Sequence, residues 1–279
     1  MCRGLPASGK SWWAKEQVLK GQGNVKRVNK DELRVMVDAS KFSHEREKEI
    51  IGIRDMLVSR WIERGHTVIV DDTNYHPSHE QTLRDIAKMY GVDFAIKDFS
   101  DVPLGTCLER NRERTERRVP ESYILQEWMK YVKPTPEYIE GVFPAVICDL
   151  DGTMALLNGR SPYDASTCEA DILNPLVKHV WNSFDPDTHV KIIMSGRDGK
   201  HRPETERWLK QHWIRHHALF MRDEGDQTKD EIIKRNMYET HVKGQYNVVA
   251  VIDDRPKVIR MWQYDLGLPV LNVGYNIEF

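Results

Sequence analysis

The sequence predicts an α/β protein of two parallel-sheet domains in series, over residues 1–137 and 142–279. Three observations predict it. Short apolar runs alternate with helical patterns in both halves, the mark of strands joined by crossover helices. Each half carries a phosphate-handling motif, and in the second half it directly follows such a run. Between the halves, Pro134, Pro136, Gly141 and Pro144 punctuate the chain.

Taken in order, Met1-Cys2-Arg3 leave room for at most a vestigial strand ahead of Gly4, so the first strand is expected to be nearly absent or to begin upstream. A central parallel strand ordinarily needs about five residues. A helix follows Ser11 and closes near Gly21-Gln22-Gly23. Residues 44–64 form an amphipathic helix with Ile50, Ile53, Leu57 and Trp61 on one face and Gly65 as its stop. Thr67–Val70 is a buried strand ending in Asp71-Asp72-Thr73-Asn74. Residues 79–90 predict a helix, Phe94–Phe99 a strand and 104–118 a charged helix. In the second half, Ala145–Cys148, Val190–Met194, Ala218–Met221 and Val248–Ile252 are apolar strands separated by helical segments.

Bulk composition excludes some classes. With 40% hydrophobic and 30% charged residues the chain is globular rather than disordered. A formal net charge of −2 means that nucleic-acid contact would have to come from a local groove. Cys2, Cys107, Cys148 and Cys168 form no C-x-x-C pair, which points to a reducing compartment without zinc or disulfides. No signal peptide is visible and no apolar run reaches membrane-spanning length, so a soluble cytoplasmic protein without membrane contact is expected.

Residues Gly4-Leu5-Pro6-Ala7-Ser8-Gly9-Lys10-Ser11 satisfy the G-x-x-x-x-G-K-[ST] phosphate loop. Backbone N–H groups and a helix N-terminus cradle phosphates, Lys10 reaches the β/γ phosphates of a nucleotide, and the Ser11 hydroxyl helps hold Mg²⁺. Phosphoryl transfer also needs a carboxylate at the attacking hydroxyl and cations over the transferred group. Asp31 fits as that base with Arg34 three residues on, and fits equally a helix start with a surface ion pair. Asp72 or Asp71 ends an apolar strand, where open α/β sheets place ligand groups. Arg110 and Arg114, one turn apart, suit a lid over phosphates or a solvated helix face.

The second half opens on Asp149-Leu150-Asp151-Gly152-Thr153, the D-x-D-G-T pattern of an aspartate nucleophile. Asp149 is placed to attack phosphorus and Asp151 to protonate the leaving oxygen. Two carboxylates this close resist ionising together, so one stays protonated unless Mg²⁺ intervenes. Ser195-Gly196-Arg197 ends a second strand and can hold phosphoryl oxygens. Asp253-Asp254 ends a third and suits Mg²⁺. Lys234, four residues after Asp230, would neutralise the phosphoaspartate with Asp230 orienting it.

Together these segments resemble the phage polynucleotide 5′-kinase/3′-phosphatase family, over nearly the whole chain. The resemblance rests on G-L-P-A-S-G-K-S, N-K-D-E-L-R, D-D-T-N, E-R-N-R-E-R, D-L-D-G-T, N-G-R-S-P-Y-D, S-G-R, K-D-E-I-I-K and I-D-D-R, in that order. The second half also resembles the haloacid-dehalogenase superfamily. The resemblance implies that Asp31 activates a 5′-hydroxyl and Arg34 binds a neighbouring phosphate. It implies that Asp72, with Thr73 and Asn74, contacts the acceptor, and that Arg114 is the lid arginine with Arg110 supporting ATP. Arg160, Arg197, Asp230, Lys234, Asp253 and Asp254 match functional positions beside Asp149 and Asp151, with Asp149, Asp151 and Asp254 at the metal. The stretch between Asp31 and Asp72 is shorter than in the best-known phage enzyme. RNA or DNA ends, a downstream ligase, a phage-infected bacterial host cell and a homotetramer are implied partners and setting. The expected function is healing of nucleic-acid ends; the rivals are a small-molecule kinase fused to a metabolite phosphatase, and a non-catalytic end-binding scaffold.

Overall fold

The computed structural model describes residues 1–39, 41 and 43–275. They divide into two compact units, Met1–Lys133 and Pro134–Phe279.

In the first unit β1 (Cys2–Arg3) runs parallel to β4 (Lys97–Asp98), and β2 (Val25–Val28) runs parallel to β3 (Thr67–Val70). The two pairs meet where the chain leaves β3. Gly4 N–H donates to the Thr73 carbonyl at 3.1 Å, and Asn74 Nδ2 to the Cys2 carbonyl at 2.8 Å. The strand expected over 94–99 shortens to two residues. β2 was not predicted, because Lys26 and Arg27 interrupt its apolar pattern.

Helix α1 (Lys10–Lys20) starts inside the phosphate loop, and α2 (Lys30–Asp38) is capped by Asn29, whose side chain accepts from Glu32 N–H. In α3 (His44–Glu63), Ile50 and Val58 join Val28 and Val70 in the core, with Ile53 and Leu57 packed against it. Trp61 departs from the expected face: its ring carries the Lys26 ammonium at 5.0 Å and stands edge-on to His66. Helix α4 (Pro77–Tyr90) is followed by α5 (Leu104–Arg112), which stops short of the expected 118. The cause is local. Asn111 donates to the Val119 carbonyl at 2.9 Å and accepts from Val119 N–H at 3.1 Å, so residues 113–119 fold back as a loop. Helix α6 (Glu121–Tyr131), also not predicted, buries Ile124 and Trp128 one turn apart.

The second unit is built on a five-stranded parallel sheet. Its strands are β5 (Pro144–Cys148), β8 (Val190–Asp198), β9 (Ala218–Arg222), β10 (Asn247–Asp253) and β11 (Val270–Asn272), in the order β11-β10-β5-β8-β9. A small antiparallel pair, β6 (Ala155–Leu156) with β7 (Ile172–Leu173), lies beside it. Helices α7 (Pro175–Ser183), α8 (Arg202–Gln211), α9 (Asp230–His241) and α10 (Pro256–Arg260) complete the unit. Both sheet faces are covered. Ala145 and Ile147 pack with Met194, Met237 and Trp262; Val146 and Cys148 pack with Ile193, Trp181 and Trp208 on the other side. Cys148 opposes Ile193 on one neighbour and Ile252 on the other. That register brings the residues following β5 and those ending β8 and β10 to one edge, the position where parallel sheets bind ligands. All four cysteines are free and buried. Among the described residues no helix is long and apolar enough to cross a membrane.

Candidate active sites

The phosphate loop has the backbone its motif demands. Gly4 and Gly9 have φ of +153° and +104°. A Cβ at Gly4 would lie 2.8 Å from Phe99 Cβ and from Ser8 Oγ, so glycine is required there by space as well as by conformation. Lys10 is buried and folded onto its own loop, donating to the Gly4 carbonyl at 2.8 Å and the Leu5 carbonyl at 2.7 Å, with Ser8 Oγ at 3.5 Å. Burial lowers its pKa, opposed chiefly by Asp71. Ser11 sits exposed in the first turn of α1.

The structure separates the two adjacent aspartates that the sequence leaves open. Asp71 takes Arg27 on Oδ2 at 2.5 Å; burial raises its pKa against the pull of Arg27, Ser11 and Lys10, which puts it on the phosphate-loop side. Asp72 faces α2 instead. Its Oδ1 accepts from Lys30 N–H at 2.8 Å, and burial pushes its pKa up to about 6. Asp71 Oδ1 and Asp72 Oδ2 are buried without a hydrogen-bond partner, as groups awaiting a ligand would be. Asp31 is 69% exposed and pairs with Arg34 at 2.6 Å; Arg34 is held in turn by Glu47 at 2.8 Å. Glu47, from α3, was not foreseen.

Arg110 and Arg114 do not share a helix face. Arg110 lies on α5 with Nη1 3.8 Å from where a Gly9 Cβ would stand, beside the phosphate loop. Arg114 lies past the helix end, in the loop that Asn111 draws back, with Nη1 3.5 Å from the Arg117 carbonyl.

The second site is a buried charge network. Lys234 Nζ lies 2.7 Å from Asp149, 3.0 Å from Asp253 and 3.9 Å from Asp230. Asp253, more than Asp230, therefore orients the lysine; Asp230 pairs with Arg255 at 3.0 Å and Arg222 at 3.4 Å. Burial alone would lower Lys234, but Asp149, Asp253 and Asp230 hold its pKa well above the ordinary value. Burial raises Asp149, and Asp253 and Asp254 add to this against Lys234.

Asp149, Asp253 and Asp254 each offer an oxygen within 4.8 Å of the others. This hard-oxygen set fits Mg²⁺. Asp253 has both oxygens engaged by N–H donors from Lys234, Trp262 and Arg255, leaving Asp149 and Asp254 as the better ligands. Thr153 Oγ1 donates to Asp254 at 2.8 Å and lies 3.4 Å from Asp149. Gly152 is obligatory beside it, since a side chain would overlap the Asp254 carboxylate.

The carboxylate of Asp151 is not part of that metal cluster, contrary to expectation. Arg197 grips it at 2.8 Å and Arg160 binds the same oxygen. Both arginines also hold Asp171, at 2.9 and 2.6 Å. Asp171, absent from the sequence-based reading, thus completes a buried two-by-two ion cluster. Although burial opposes it, Arg197 and Arg160 keep Asp151 below the usual carboxylate range. Ser195, Gly196 and Arg197 lie within β8, which runs on to Asp198 through an irregularity in its pairing with β9. Ser195 Oγ accepts from Arg197 N–H at 3.2 Å, and a side chain at Gly196 would strike Asp230. A cleft of about 550 Å³ opens over Asp149, Asp151, Gly196, Arg197 and Asp230.

Fold and sites define a class: a phosphate-loop domain followed by a parallel-sheet domain of the phosphatase type that carries a buried aspartate cluster. Residues 143–277 match the family described as the polynucleotide kinase PNKP phosphatase domain, and residues 1–134 match an AAA domain family. A bifunctional polynucleotide kinase/RNA ligase of Autographa californica nuclear polyhedrosis virus is 34% identical over 97% of this chain and 41% of its own length. An L-seryl-tRNA(Sec) kinase of Methanococcus maripaludis is 30% identical over 48% of this chain and 52% of its own. The chain thus spans about half or less of these relatives. A solved structure of a Pnkp1/Rnl/Hen1 RNA repair complex is 33% identical over 98% of this chain and 94% of that one, with a TM-score of 0.49. Residues 143–277 thus belong to the polynucleotide kinase PNKP phosphatase domain family, and residues 1–134 to an AAA domain family.

Proposed function

We propose that this protein heals nucleic-acid ends, with residues 1–137 phosphorylating 5′-hydroxyls from ATP and residues 142–279 hydrolysing 3′-phosphates. The observation that carries it is the presence, in one chain, of a glycine-built phosphate cradle at Lys10 and a buried nucleophile cluster at Asp149.

In the kinase half Lys10 exchanges its loop carbonyls for the β/γ phosphates, and Arg110 and Arg114 close over them. Asp31 takes the proton of the attacking hydroxyl. Arg34, Asp72, Thr73 and Asn74 hold the acceptor nucleotide. In the phosphatase half Asp149 attacks phosphorus and the 3′ oxygen leaves with a proton from Asp151. Because two guanidinium groups hold Asp151 ionised, its acid role requires Arg197 or Arg160 to shift toward the phosphoryl oxygens as the ester binds. Ser195 and Gly196 hold those oxygens, and Lys234 neutralises the phosphoaspartate. Ser11 in the first site, and Asp149 with Asp254 in the second, would hold Mg²⁺, which when bound would supply positive charge to offset the anionic nucleophile and phosphate.

The relatives' names favour RNA ends and a ligase acting on the healed product. A homotetramer belongs to the same proposal, and sedimentation tests it. So does a cytoplasmic setting, which four free cysteines support. The decisive experiment follows both ends of an oligonucleotide bearing a 5′-hydroxyl and a 3′-phosphate, with ATP and Mg²⁺. Gain of the 5′-phosphate and loss of the 3′-phosphate are expected. Turnover of free sugars or nucleosides alone would favour a metabolic enzyme, and ATP binding without turnover a scaffold.

A further inference from the structure

We infer that Tyr163 is a stacking platform for the base of the 3′-terminal nucleotide, making the phosphatase selective for esters that carry a nucleobase. The inference rests on the 3′-phosphatase reading and identifies what its cleft recognises beyond the phosphoryl group.

Four observations support it. Tyr163 lines the cleft that holds Asp149 and Asp151, yet is 85% exposed. An aromatic side chain so open beside a nucleophile contributes little to folding and offers a flat face to whatever enters. Other exposed aromatics of the unit, such as Trp213, Tyr138 and Tyr275, do not line this cleft. The ring is carried on a rigid support. Asp164 N–H donates to the Ser161 carbonyl at 3.1 Å, closing a β-turn with Pro162 and Tyr163 at its centre. Tyr163 N–H is held by Ser161 Oγ at 3.2 Å. That turn is in turn wrapped on Arg160, which donates through Nη1 to the Ser161 and Asp164 carbonyls, each at 3.2 Å. The same guanidinium binds Asp151 through Nη2. One side chain therefore fixes both the candidate acid and the aromatic platform, so a group stacked on Tyr163 is registered to the reacting ester. Finally, Lys200, Lys229 and Lys257 line the same cleft and suit a phosphate backbone leading away from the end.

Among the parts of a nucleotide end, the base alone presents a broad π face to such a ring. Stacking of this kind tolerates every base, which suits an enzyme that must accept ends of any sequence.

The test compares two 3′-phosphate oligonucleotides, one with a normal terminal nucleotide and one whose terminal sugar lacks its base. For the wild-type protein KM is expected to be about tenfold higher for the base-free end, the effect of one base–aromatic stack. In Tyr163→Ala that ratio falls to near one, and Tyr163→Phe restores it. A ratio near one in the wild type, or the same ratio in Tyr163→Ala, would overturn the inference. So would an equal loss of kcat on both ends with the ratio intact, which would make Tyr163 a prop for the Arg160 turn. A wild-type protein that hydrolyses neither end would defeat the 3′-phosphatase reading and this inference with it.

Discussion

The two candidate sites hold their charges in opposite ways. In the second unit nearly every acting group is buried and already paired: Asp149 with Lys234, Asp151 with Arg197 and Arg160, and both arginines with Asp171. In the first unit Asp31 is mostly exposed, Arg114 lies in a loop, and Lys10 is folded onto its own carbonyls. The difference teaches where each site stores its order. The proposed phosphatase site is assembled during folding, so losing a member should cost stability together with activity. In the proposed kinase site the exposed members, Asp31 and Arg114, await the substrates, so losing either should cost activity alone.

The largest expected effect tests the separation itself. Asp149→Asn should lower 3′-phosphatase turnover on the order of 10⁴-fold or more, as loss of a nucleophile does, and leave 5′ phosphorylation intact. Radiolabelled oligonucleotides read both, and phosphatase activity in the variant would remove Asp149 from its role. Next, Asp171→Asn should cost the second unit about 3–5 kcal/mol, because it leaves two buried guanidinium groups sharing Asp151. Urea unfolding measures this, and wild-type stability would break the idea of a site assembled by folding.

The first unit should behave differently. Lys10→Ala and Asp31→Ala should each lower kinase kcat by about 10²–10³-fold, and Asp31→Ala should move stability by no more than about 0.5 kcal/mol. A strongly destabilised Asp31→Ala would erase the contrast between the units. Arg114→Lys keeps the charge but loses the planar fork, and a fall of about 10²-fold in kinase kcat is expected. Full activity would leave Arg114 a surface residue.

The smallest effect concerns pH. Burial, with Lys30 and Arg54 nearby, lowers the His79 imidazole to about 4. The unfolded chain, with His near 6.5, therefore takes up this proton first on acidification. Stability of the first unit falls as pH drops from about 6.5 toward 4, by about 1 kcal/mol after allowing for solvent screening at a half-buried site. His79→Asn should flatten that part of the curve, and an unaltered slope would place the titration elsewhere.

What was legible in the sequence follows the physics of each signal. Parallel strands deliver ligand groups at their C-terminal ends, so Asp149, Asp253 and the phosphate loop could be placed from apolar runs and short motifs. Thr153 belongs to the same motif and was available to that reasoning. Asp171 was not. It is one aspartate ahead of a two-residue strand, and its importance comes from arginines contributed by distant segments. The end of α5 escaped because a charged periodic stretch carries no trace of the Asn111–Val119 pairing that turns the chain. Asp71 and Asp72 could not be told apart because adjacent side chains at a strand end diverge toward different neighbours, which only the packed structure supplies.

The four sealed thiols give the molecule a built-in gauge. Cys2 and Cys107 lie in the first unit, Cys148 and Cys168 in the second, and burial raises every one of them, Cys2 to about 11. Alkylation proceeds through the exposed thiolate, so intact protein should resist it. Each pair becomes reactive as its own unit opens. Peptide mapping of alkylated cysteines along a denaturant series would therefore report the opening of the kinase and phosphatase units separately, in one tube and without an added probe.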